Sequence, residues 1–373
     1  MHIKRMKFII FLFWILIFFS FNPAKAPHKN EFTDFWSMKG NLVTHIYIDQ
    51  KDSLSGPELF ELQDEKGLPI WFGRHIFKDV CISGECKMIR LWLFWDGVGN
   101  YLGMQIPEVE PLTKSDHTEF ETDDYKKLNE ILRDTSSILK ALKQEDLIIV
   151  PDTIDPYEVD GYTAATQPTL AEAVVKDAVY TCHTLWHTVY GPVQSEIFRI
   201  LENHLNKEFL EKMFESKKPE YISWAIKKVE KHPEYHAGFY SKIIEFIKSE
   251  NSILTNQALD YFRPELLKDT AIQQNLIQVM NGLDMYQKNQ IIWRFINLRN
   301  VDSQVVLNLL NLFSDKILGV ESFNLIMRLV TPEHLKENKQ IVHILNNLSE
   351  NDNGYVRNLS KRVLDEKGKT ISQ

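Results

Sequence analysis

The chain has 373 residues, 44% of them apolar, and a formal net charge of −8. That apolar share supports a sizeable core and argues against wholesale disorder. The acidic balance, with no clustered Lys/Arg face, excludes nucleic acid as the expected partner. At about 150 residues per domain the length suits two domains.

The chain starts with an export pattern. His2, Lys4, Arg5 and Lys7 are positive, Phe8 to Phe21 carries no charge, and Ala24-Lys25-Ala26 has the small-x-small form of a cleavage site. Residues 1–26 therefore read as a signal peptide. Pro27 fits poorly after a scissile bond, so a retained N-terminal anchor stays open as the alternative. The apolar run is short of the roughly 20 residues that span a bilayer. Either way the body is expected in the periplasm or at the extracytoplasmic face of the inner membrane, with association with that membrane as a candidate partnership. An oxidising compartment pairs close cysteines, so Cys81 and Cys86 are expected to form a disulfide across the Ser83-Gly84 turn.

Residues 30 to about 110 predict strands and turns. The clearest strands are 42–49, 88–95 and 101–106, with a turn at Asp64-Glu-Lys-Gly67 and a glycine-rich hairpin connection at Asp96-Gly-Val-Gly-Asn100. Residues 105–124 are acidic and read as a solvated loop leading to a helix capped by Thr122, with Asp123 and Asp124 in its first turn. The helix continues over 125–133, and 147–150 is a short strand.

Next comes Asp160-Gly-Tyr-Thr-Ala-Ala-Thr-Gln-Pro-Thr169. Pro168 suits the first turn of a helix, and Thr169 with Glu172 has capping-box spacing. A long helix is expected from here. On it Ala171, Val175, Ala178, Cys182, Leu185, Trp186 and Val189 form one apolar stripe, with Val174 at its edge. Cys182 sits at its centre and reads as a buried, inert thiol. Lys176, Tyr180, His183 and His187 lie off the stripe. His183 and His187 have ligand spacing for zinc, with His117 as a third candidate, but Thr184 stands where a zinc-protease helix has glutamate. The stronger expectation is a packed helix flank with hydrogen-bonded histidines, and no metal.

The stretch 160–169 resembles the Asp-x-x-Ser-Gly-Ala-Thr-x-Thr motif of FMN-binding domains, the extracytoplasmic domains of quinone-reducing sodium pumps and nitrous-oxide regulatory proteins. The similarity covers about residues 80–190. It implies an FMN-binding-like α+β domain over 30–192 and a flavin held by Thr163, Ala164, Ala165, Thr166 and Thr169. In that family the last hydroxyl of the motif carries flavin through a phosphoester. Here that position is Pro168, so any FMN is expected to be noncovalent, with phosphate on backbone N–H groups at the helix start. Trp92, Trp95 and Tyr101 are candidate ring-stacking partners.

Residues 195–373 predict an all-α domain. Helices are expected over 195–205, 219–231, 234–249, 271–282, 285–297, 303–313, 320–329, 339–348 and 354–366. Helix pairs at this spacing suggest a stacked solenoid. Asp352-Asn-Gly-Tyr-Val-Arg357 with Leu359 and Val363 resembles the second helix of a HEAT-type repeat, with Val356 as core. The fold class expected is thus an α+β domain followed by an all-α solenoid of helix pairs.

Three functions follow as expectations. The first is a redox-linked accessory module with flavin near Thr163–Thr169. The second is a non-enzymatic scaffold whose helical repeats hold a protein partner. The third, a hydrolase built on Asp116 and His117, lacks a nucleophile turn.

Overall fold

The computed structural model describes residues 33–81, 86–149, 165–166, 168–298 and 301–369. Its first unit is a five-stranded antiparallel meander: β1 (Asn41–Ile46), β2 (Glu58–Gln63), β3 (Pro69–Lys78), β4 (Ile89–Asp96) and β5 (Tyr101–Gln105), in spatial order β1-β2-β3-β4-β5. The expected turn joins β2 to β3. Gly67 takes a φ of 76° there, and Asp64 Oδ1 accepts the N–H groups of Lys66 and Leu68. Such Asx turns and left-handed glycines reverse a chain cheaply.

Strand alternation divides the sheet into two faces. On the inner face Phe72 lies opposite Trp95, Arg74 opposite Leu93 and Ile76 opposite Leu91. These join the main core. On the outer face Leu62 lies opposite Trp71, Gly73 opposite Phe94 and Phe94 opposite Gly103. Here Phe35, Leu62, Trp71 and Phe94 form a separate small cluster. A 3-10 turn, Phe35–Ser37, lies across it, and Trp71 Nε1 donates to Phe35 O at 3.2 Å. Gly103 permits this cover, since a Cβ there would stand 2.9 Å from the Phe35 ring.

Helix α1 (Thr122–Arg133) follows the acidic stretch. Its N-cap is Glu121, one residue before the expected Thr122, because Asp124 Oδ2 accepts the Glu121 N–H at 2.9 Å. A two-residue ladder pairs β6 (Ile148–Ile149) with β7 (Ala165–Thr166).

The long helix expected from Pro168 does not form. Pro168–Leu170 is one 3-10 turn, bends and turns follow, and α2 spans only Val179–Val189. Asp177 has a left-handed φ of 58°, which breaks a helix, and its carbonyl is tied down by the N–H and Oγ of Ser115. The apolar set is nonetheless buried, Ala171 excepted. The expected one-sided stripe is also too narrow. Every residue of α2 but His187 is buried, Tyr180 and His183 included. The sheet lies on one side of this helix and α1 on another. A helix enclosed in that way shows no polar face.

The helices then continue: α3 (Pro192–Asn203), α4 (Lys207–Glu215), α5 (Pro219–Lys231), α6 (His236–Glu245), α7 (Ser252–Tyr261), α8 (Thr270–Val279), α9 (Met285–Ile296), α10 (Ser303–Ser314), α11 (Val320–Leu329), α12 (Pro332–Glu337), α13 (Lys339–Leu348) and α14 (Gly354–Lys369). With α2 that makes thirteen helices among the described residues, after the sheet, in an α+β layout. α4, α7 and α12 are additions to the expected set. α5 contacts α7, α6 contacts α8, α8 contacts α10, and α9 contacts α11. Val356 is buried, as are Leu359 and Val363.

The core is continuous from Leu59 to Val363. It runs through the sequence interval between 192 and 195, which α3 also spans. Hydrogen bonds tie the sheet and its hairpin to the helices, among them that of the Tyr101 hydroxyl to Asn129 Oδ1 at 3.0 Å. Trp95 Nε1 donates to Val189 O at 3.0 Å, Gln194 Nε2 donates to Gly99 O at 2.9 Å, and the Tyr221 hydroxyl donates to Pro69 O. No helix among the described residues is long and apolar enough to cross a membrane.

Candidate functional site

The motif residues come first. Thr163 and Ala164 lie outside the described residues. Ala165 and Thr166 form β7, directly opposite Ile149 and Ile148. Thr169 is exposed in its 3-10 turn, and Leu170 behind it is buried. A phosphate cradle at a helix start needs successive free N–H groups at a helix end. The nearest such end is at Val179, ten positions beyond Thr169. The described part of the stretch does not fit that cradle. The stacking candidates diverge as well. Trp95 and Tyr101 are buried on the inner face, and Trp92 lies on the outer face beside His75.

The histidine pair is bound to backbone carbonyls. His183 Nε2 bonds Leu142 O and His187 Nε2 bonds Leu139 O, each at 2.9 Å. Their rings lie 4.3 Å apart, centre to centre. Burial holds His183 below the usual histidine range, and His187 adds to that. His117 is exposed at a left-handed turn, and no group of three metal-ligating side chains occurs among the described residues. Asp116 accepts from the N–H and hydroxyl of Thr118, at 3.0 and 2.6 Å. Cys81 and Cys86 are disulfide-bonded with Cα atoms 5.8 Å apart. The Ser83-Gly84 turn expected between them lies outside the described residues. Cys182 is free and buried, and burial pushes its thiol up to about 12.

The feature that gathers chemistry is a cleft of about 450 Å³ where the β4–β5 hairpin meets α3 and α5. The hairpin is built by Asp96. Its Oδ1 accepts the N–H groups of Val98 and Asn100, each at 2.9 Å, and its Oδ2 accepts the Asn100 amide at 3.0 Å. Burial raises the Asp96 pKa, while these bonds oppose the rise. Gly99 completes the turn at a φ of 88°, and a Cβ there would stand 2.6 Å from the Phe198 ring. Glycine thus lets α3 set Phe198 against the hairpin.

α5 supplies the other wall. Pro219 opens it at the first turn, and Tyr221, Ile222, Ala225, Ile226 and Val229 are its buried stripe. The opposite face, Ser223, Trp224, Lys227, Lys228 and Lys231, lines the cleft with Glu220. Lys228 is engaged: it pairs with Glu202, and its Nζ lies 5.1 Å from the centre of the Trp224 ring. Lys227 and Lys231 are exposed, stand four residues apart on one helix face, and have no ion-pair partner among the described residues. Two free ammonium groups thus flank an apolar wall of Phe198 and Trp224. In a chain of net charge −8 this is a local positive focus. Such a cleft can take an anion with a flat apolar body.

The Lys227-Lys228 and Lys231 spacing around Trp224 is visible in the chain, but its meeting with the hairpin is a tertiary fact. No family model, no curated protein and no solved structure matches the chain.

Proposed function

We propose that the protein is an exported binding module that holds a small organic anion in the cleft between the sheet hairpin and the first long helices. One observation carries this reading. Lys227 and Lys231 stand unpaired beside the Phe198–Trp224 wall of an open cleft of about 450 Å³. Pockets of about 300–1,000 Å³ with apolar walls and a few charged groups are the usual small-ligand sites. On this reading the later helix pairs stack as a solenoid that braces α5, and the export pattern of residues 1–26 delivers the module outside the cytoplasm.

The probe is 8-anilinonaphthalene-1-sulfonate, a flat aromatic anion, titrated by its fluorescence. One strong site is expected, weakened about tenfold, or about 1.4 kcal/mol, in the Lys227→Ala/Lys231→Ala pair and in Trp224→Leu. Added salt should weaken it further. Unchanged affinity in both variants would refute the assignment.

A second reading keeps a noncovalent flavin at Thr163, Ala164, Ala165, Thr166 and Thr169. The motif resemblance and the exposure of Thr169 support it. Titration with FMN separates the two readings. Loss of FMN binding in the lysine pair assigns the cleft, and loss in Thr169→Ala assigns the motif. No FMN binding leaves the flavin reading without support.

A further inference from the structure

The outer face of the sheet carries apolar surface that none of the helices among the described residues covers. Trp36 is 39% exposed, Leu42 47%, Ile46 66% and Ile48 78%. Register places Leu42 opposite Leu62 and Ile46 opposite Glu58, so both side chains share the face of the small aromatic cluster. Trp36 stands on that cluster. Its ring lies 5.8 Å from Phe60, 5.3 Å from Trp71, 4.8 Å from Trp92 and 5.9 Å from Phe94, each edge-on. β1 is an edge strand, so the apolar surface continues to the rim of the sheet.

Two observations indicate what this face meets. First, the earliest described element, the Phe35–Ser37 turn, lies on this face. The uncharged run Phe8–Phe21 ends fourteen positions before Phe35. At 3.3–3.6 Å per residue, that connection reaches at most about 50 Å. With residues 1–26 retained as an anchor, that run is stable only in lipid or in a protein interior, and the outer face is then held within this distance of whatever receives it. Second, the face suits an interface between water and lipid. Its projecting groups are an indole and aliphatic chains, the types that settle at bilayer surfaces. In an acidic protein its strands contribute only two acidic residues, Glu58 and Asp96, and the Asp96 carboxylate is turned into its own hairpin. Arg90, opposite Phe77 on the same face, pairs with Glu110 at 3.0 Å.

We propose that the outer face of the sheet seats on the surface of a lipid bilayer, with Trp36, Leu42 and Ile46 entering the headgroup region. The face then has a role separate from the cleft, and the sheet would hold the cleft at a fixed height above the membrane.

The test uses a chain starting at Pro27, which keeps every described element, so that the apolar run cannot itself carry binding. It is mixed with phosphatidylcholine vesicles, with and without phosphatidylglycerol, and floated on a density gradient. The parent should float with both compositions. Trp36→Ala/Leu42→Ser/Ile46→Ser should reduce the bound fraction at least tenfold in partition coefficient, with unchanged circular dichroism. Parent protein that stays at the bottom overturns the proposal, and so does a triple variant that floats as well as the parent. Size-exclusion chromatography without lipid decides the remaining case. A parent dimer that the triple variant converts to a monomer would make this face a contact between copies, and would also overturn it.

Discussion

The two faces of the five-stranded sheet are made from the same residue types and serve opposite ends. Both are rich in Trp, Phe and Leu. The inner face is sealed by α1, α2 and α3 and belongs to a core that reaches Val363. The outer face has a few aromatic rings under one 3-10 turn, and its rim is open. Burial, not composition, separates them. Polar burial follows the same division. Glu61 is fully buried on the inner face with His45 Nε2 at 2.6 Å, and Arg74 is fully buried there with Asp52 at 3.4 Å. Glu61 also accepts from Gln63, while Arg74 donates through Nη2 to Gly56 O and lies over the Tyr47 ring, with Nε and Nη1 unpartnered among the described residues. The comparison teaches that stability resides on one side of the sheet and leaves the other free to meet a surface.

The sharpest way to break that division is to remove one indole from each side. Trp95 is fully buried, and its Nε1 bonds the last turn of α2. Trp95→Ala should cost about 3–5 kcal/mol, with the orphaned Val189 carbonyl adding to the cavity. Trp36 is 39% exposed and meets its neighbours in T-shaped ring contacts. Trp36→Ala should cost under about 1.5 kcal/mol. Urea titration of both variants measures the difference. Equal losses would show that the outer cluster bears as much of the fold as the inner one.

How far the sequence foretold this arrangement depends on the range of the interaction. Local signals were legible. Asp64–Gly67, Asp96–Asn100 and the Cys81–Cys86 pairing are each written within a few residues. Nine of the later helices stood out because each keeps an apolar stripe of its own. α2 did not, because the sheet, α1 and a loop enclose it, and its polar residues turn inward to carbonyls such as Leu142 O. Pro168 and Thr169 looked like a helix start, yet a left-handed Asp177 and the bonds from Ser115 decided otherwise. The cleft was illegible for the same reason. Nothing within the helix over 219–231 marks out Lys227 and Lys231 until Phe198 and the hairpin are placed beside them.

A smaller effect is expected where the chain leaves β3 and turns back toward β4. The Cys81–Cys86 disulfide spans five positions of sequence, so the entropy it removes from the unfolded chain is slight. Cys81→Ser/Cys86→Ser should lower stability by about 2 kcal/mol, well below Trp95→Ala. Thiol counting on the unfolded, unreduced parent should give one free thiol, that of Cys182. Three free thiols from protein secreted through an oxidising compartment would contradict the pairing.

The smallest effect tests whether inward-turned polar groups of the inner core behave as buried ones. Burial holds the His183 pKa below its ordinary 6.5, and neighbouring His187 pushes the same way. The Leu142 carbonyl opposes this, with weaker help from Glu145 and Asp146. The unfolded chain therefore takes up a proton near its ordinary pKa before the folded chain does. Stability is complete above about pH 6.5 and is lost as pH falls below it toward the folded value, by at most about 1.4 kcal/mol per pH unit for one proton. His75 shares the sign, through burial and then Arg90, so removing His183 should lessen the slope without abolishing it. His183→Gln keeps an amide donor for Leu142 O and has no proton to gain. Denaturant midpoints at pH 7.5, 6.5 and 5.5 should fall less steeply in this variant than in the parent. Identical slopes would mean that His183 charges freely in the fold, and that the inner core is more open to water at α2 than its burial indicates.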